Sequence, residues 1–96
     1  MTSDERKAVE RARATLAALT PTTARDDAIA FALRHASRLM VDAAAKGFSS
    51  ELNSLRADAA IKLNAVAGSL DTRTLTRDRI DMARQAVPAV LDQLPA

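Results

Sequence analysis

His35 is the only histidine in the chain, and it lies in the run Arg34-His35-Ala36-Ser37-Arg38. Imidazole titrates near neutral pH, so this one side chain can tune an interface by gaining or losing a proton. At about 100° per residue on a helix, Phe31, Arg34, His35, Arg38 and Asp42 share one face, with Val41 beside them. An aromatic ring among cationic and titratable groups can stack on and pair with acidic or phosphorylated surfaces. These residues are the leading candidate surface for a protein partner. Met82 joins them as a second candidate, because it occupies the position equivalent to Phe31 in a weak internal repeat.

The spacing of His35 and Arg38 resembles that of histidine phosphotransfer domains. These are helical bundles in which an exposed helix histidine is phosphorylated, with a basic residue three positions on. The resemblance covers these two positions. It implies His35 as the phosphoacceptor, with Arg38 offsetting the phosphate charge. Such domains place a small glycine after the basic residue to admit the partner receiver, and here Leu39 stands in that place.

Other chemistry finds less support. His35 and Asp42 are two turns apart, too far to chelate a metal from one helix, and the chain has no second His and no Cys. No cofactor motif is present, and no reactive constellation points to an enzyme. Asp26-Asp27 and Asp78-Asp81 read as favourable charges in the first turns of helices. Arg13, Arg56 and Arg84 recur on one flank of three helices. They are expected to bury their stems and keep their heads in water, with pairing to Glu10, Asp58 or Asp81 across an oligomer as the alternative. Arg73, Arg77 and Arg79 cluster where a nucleic-acid backbone could sit. Asp71, Asp78 and Asp81 are interspersed among them, which is the pattern of a solvated ion-pair face.

Composition sets the wider limits. The formal charge is +2, with eight basic and six acidic side chains in residues 1–48 and six of each in 49–96. That balance argues against a dedicated nucleic-acid surface, so a nucleic-acid-binding regulator is only an alternative reading. The absence of cysteine excludes disulfides and thiol chemistry. The first nineteen residues carry charges throughout, unlike a secretory signal, and no apolar run is long enough to span a membrane. A bacterial, cytoplasmic protein is expected. Hydrophobic residues make up 48% of the chain but aromatics only 2%, and alanine supplies much of the apolar fraction. Such a core buries little area per residue, which is the reason to expect a homodimer.

The elements that must position these residues are helices. Leu19–Met40 and Leu70–Leu91 echo each other at a shift of about 51 residues. Leu19/Leu70, Thr23/Thr74, Asp27/Asp78, Ile29/Ile80 and Ala32/Ala83 are identical in that register. Helix one is expected over Ser3–Ala18, with a Thr2/Glu5 capping box and a stripe of Val9, Ala12, Leu16 and Leu19. Helix two is expected from Thr20-Pro21 to Lys46, with Leu19 and Ala24 as a hydrophobic staple. Gly47 should supply its left-handed cap, with Phe48 folded back onto the helix end. Helix three begins after Ser49 or Ser50, shows Leu52, Leu55, Ala59, Leu63 and Val66, and should end at Gly68. Asp71 should cap helix four, with Leu70 and Leu75 as the staple. Its stripe is Ile80, Ala83, Val87, Leu91 and Leu94, and Pro88 should kink or restart it.

The sum is a single all-α domain over 1–96. It is a four-helix bundle of two hairpins, about 3–46 and 50–94, with the last helix kinked at Pro88. The expected function is a non-enzymatic protein–protein interaction module, an adaptor, inhibitor or assembly component, presenting Phe31, Arg34, His35, Arg38 and Met82.

Overall fold

Apolar stripes at helical spacing can be buried together only if the helices that carry them close around one core. In the computed structural model, which describes residues 3–95, four helices do so: α1 (Asp4–Ala17), α2 (Asp27–Lys46), α3 (Ser50–Thr72) and α4 (Arg77–Gln93). Each helix packs on its two neighbours in a ring, α1–α2–α3–α4–α1. The α2/α3 seam is the most extensive and the α1/α4 seam the least. Diagonal helices bring no α-carbons within 8 Å of each other. The interior holds Val9, Leu16, Leu33, Met40, Leu63, Val66, Leu70, Ile80, Val87 and Val90, together with buried alanines such as Ala12, Ala36, Ala59 and Ala83. The radius of gyration is 12.6 Å. A self-contained domain of this length is expected at about 12.5 Å.

Long polar side chains tie the ring together. Arg84 of α4 donates to the carbonyls of Leu16, Ala17 and Leu19, at 2.9, 3.4 and 2.7 Å. It thereby caps α1, whose own last turn has no basic residue. Arg6 of α1 returns the arrangement, donating to the carbonyls of Leu91 and Leu94 at the end of α4. Arg56 is buried and pairs with Glu5. The expectation of a head in water is therefore corrected for Arg56, which is held by the largely buried Glu5 carboxylate, whereas Arg84 stays partly exposed while its head bonds open carbonyls. Arg13 is exposed.

Several boundaries differ from expectation. The α1 cap is Ser3, whose Oγ accepts from Arg6 N, and Glu5, one member of the expected Thr2/Glu5 capping box, turns inward to Arg56. Thr2 lies outside the described residues. Thr20-Pro21 opens a turn closed by Thr23, whose N–H donates to the Thr20 carbonyl. Helix α2 starts later, where the Asp26 carboxylate accepts from Ala28 N and Ile29 N. Ala24 is exposed and forms no staple. Gly47 is extended, at φ −84°, because Ser49 caps α3 at once and leaves no room for a left-handed turn. Phe48 is fully exposed rather than folded back.

Gly68 does not stop α3. The apolar period continues through Leu70, and burying that leucine outweighs the roughly 1 kcal/mol that an interior glycine costs. Arg73 takes the left-handed position instead, at φ 59°. Asp71 thus lies inside α3, and Thr76 caps α4 by accepting from Arg79 N. Leu75 and Ile80, both buried, flank that cap in the staple positions. Helix α4 runs unbroken through Pro88 to Gln93, so the proline does not restart it. The two hairpins are consequently not equivalent in conformation: Leu19 lies in a connection and Leu70 in a helix.

Candidate functional site

The outer face of α2 results from its amphipathicity. With Leu33, Ala36 and Met40 fully buried, the opposite side of the helix must face water. Phe31, Arg34, His35 and Arg38 all lie there and are exposed. Phe31 keeps 60% of its surface accessible, so a large aromatic has been left outside a core that is short of aromatics. Its ring stacks on that of His35, with centroids 5.3 Å apart and planes 9° from parallel. This is the contact an i, i+4 pair makes on a helix, and it fixes the two rings against each other. Asp27, Ala30, Phe31, Arg34, His35 and Arg38 together line a shallow hollow.

The guanidinium groups on this face differ. Arg34 Nη2 donates to Asp71 Oδ2 of α3 at 2.6 Å, and Arg25 approaches the other oxygen at 3.4 Å. The hydrogen bond from Arg34 holds the Asp71 carboxyl below its usual range, against a smaller opposing effect of burial. Arg38 has no carboxylate within 4 Å among the described residues, although Asp42 lies one turn on. Its charge is therefore available to a ligand. A second groove runs along the α2/α3 seam, lined by Arg34, Ser37, Arg38, Val41, Asp42 and Asn64. Ser37 fixes that seam by donating to the Ala60 carbonyl. Ile61, 69% exposed, follows Ala60 and lies one turn before Asn64.

The structure brings together four of the five sequence-derived candidates. Met82, half exposed, belongs to α4, diagonal from α2, and does not join the face. Sequence reasoning missed Asn64 and the groove it shares with Val41. The one sequence signal on this flank was Ile61, an apolar residue off the α3 stripe, which spacing alone assigns neither to a wider core nor to the surface; the structure leaves it exposed. No group of three or more metal-ligating side chains is assembled among the described residues. No described helix is long and apolar enough to cross a membrane.

No protein-family model, curated protein or solved structure matches this chain at a significant level.

Proposed function

We propose that this chain is a non-enzymatic protein–protein interaction module that presents the outer face of α2 to a protein partner and self-associates as a homodimer. One observation carries the reading: a stacked Phe31–His35 pair held exposed between Arg34 and Arg38. Aromatic residues and arginine are enriched in protein interfaces, and arginine is among the residues that contribute most to their binding energy. The Ala-rich interior supports the homodimer, because such helices bury little area per residue.

The test is capture of partner on immobilised protein, comparing wild type with Phe31→Asp and Met82→Asp. Phe31→Asp should abolish capture of a defined set of proteins while circular dichroism stays unchanged. Retention of that set by both variants overturns the reading. Light scattering coupled to size exclusion, over a concentration series, tests the homodimer. A constant monomer mass at every concentration removes it.

A further inference from the structure

The arginines at the α3–α4 turn are not the ion-pair face that their sequence implies. Asp71 is committed to Arg34 and Arg25. Asp81 is nearest to Arg84, at 3.7 Å. No carboxylate among the described residues lies within 4 Å of Arg73, Arg77 or Arg79, and Asp78 in the first turn of α4 reaches none of them. Three guanidinium charges near one turn thus lack an internal counter-charge.

Arg73 is the best placed of the three. It occupies the left-handed C-cap of α3, where glycine is the usual residue and a side chain costs roughly 1 kcal/mol. It also lines a hollow of mixed polar and apolar character between the α1–α2 connection and the end of α3, with Thr22, Thr23, Leu70, Leu75 and Arg25, the last already paired with Asp27 and Asp71. Ser69, also in the lining, is 4% exposed, accepts from Arg79 Nη1 and donates to the Ala65 carbonyl, so its own hydroxyl is fully engaged. The Arg73 guanidinium, without a carboxylate of its own, beside the Thr22 and Thr23 hydroxyls suits an anion that offers several acceptor oxygens.

We propose that this hollow binds a phosphate-bearing anion, with Arg73 as the principal contact. The site is separate from the outer face of α2 and does not rest on its proposed role. Calorimetric titration of the full chain at low ionic strength with inorganic pyrophosphate, and in parallel with a short oligodeoxythymidine, tests it. Saturable binding is expected, weakening as salt is added. Arg73→Gly removes the guanidinium and leaves a residue that adopts the turn freely. It should weaken binding at least about tenfold, the worth of one charge-assisted hydrogen bond, while the melting temperature holds or rises. Arg11→Gln, an exposed cation on α1, should bind as wild type does. Response to pyrophosphate assigns a free phosphate ligand, and response to the oligonucleotide alone assigns a backbone diester. No saturation with either probe overturns the proposal, as does undiminished binding by Arg73→Gly or equal weakening by Arg11→Gln.

Discussion

Arg56 of α3 grips Glu5 of α1 across the diagonal of the bundle, its Nε and Nη2 each donating to a separate carboxylate oxygen at 2.7 Å. The backbones of these two helices do not approach within 8 Å, so the pair spans a gap that no main-chain contact closes. The third nitrogen, Nη1, donates to Asn53 Oδ1, and Asn53 Nδ2 donates to the Gly47 carbonyl. One polar chain therefore links α1, α3 and the α2–α3 connection.

Both charges are nearly buried, with side-chain exposures of 10% and 12%. Removing one partner strands the other, at a cost of about 3 kcal/mol. Glu5→Gln and Arg56→Met should each lose roughly that much in urea unfolding, and the double variant less than the sum. Additive losses would show that the two residues act independently.

The two glycines should respond with opposite signs. A Cβ on Gly47 would sit 2.8 Å from Asn53 Oδ1 and 3.1 Å from Arg56 Nη1, whereas one on Gly68 meets nothing within 4 Å. Gly47→Ala should destabilise by disturbing the polar chain. Gly68→Ala should stabilise α3 by about 0.5–1 kcal/mol, since the backbone there is already helical. Thermal melts of both variants check this, and a shared sign would contradict it.

Asp71 predicts a pH dependence. Its folded pKa lies below its unfolded one, because Arg34 donates to it. The resulting stability is complete above the unfolded carboxylate value, about 3.9, and is lost as pH falls through the folded value. Between about pH 5 and pH 2, Asp71→Asn should therefore lose stability less steeply than wild type. Parallel acid limbs would show that the pair contributes nothing.

Arg84 holds three carbonyls at the end of α1. Arg84→Met keeps the apolar stem and removes the donors, and should cost about 1–2 kcal/mol. Amide exchange should rise first in the last turn of α1. An unchanged exchange pattern there would mean that water replaces the cap without loss.

The helical class and the stripes were legible because period 3.6 is a local property. Val9, Leu16, Leu33, Met40, Leu63 and Val87 are buried as their spacing implied. Caps were less legible, because several residues compete for each one. Thr20 and Asp26 are both residue types that can cap a helix, and the turn from Thr20 to Thr23, with Arg84 bonded to the Leu19 carbonyl, leaves Thr20 outside α2. The partner of Glu5 lies 51 positions away, beyond any local pattern. On the candidate site, Phe31 and Ile61 lie off the stripes of their helices, but whether a neighbouring helix covers such a position depends on the packing, which leaves both exposed. The groove with Asn64 needed the register of α2 against α3, which Ser37 and Ala60 set.

The reach of Arg6 to the carbonyls of Leu91 and Leu94 places the first turn of α1 beside the end of α4. Connectivity and shape are then separable in this protein. A few flexible residues could join the two ends, and new ones could be opened at Phe48, which is fully exposed in the α2–α3 connection. The same adjacency suits the bundle to insertion within a surface loop of another protein, because its host would see both attachment points on one side.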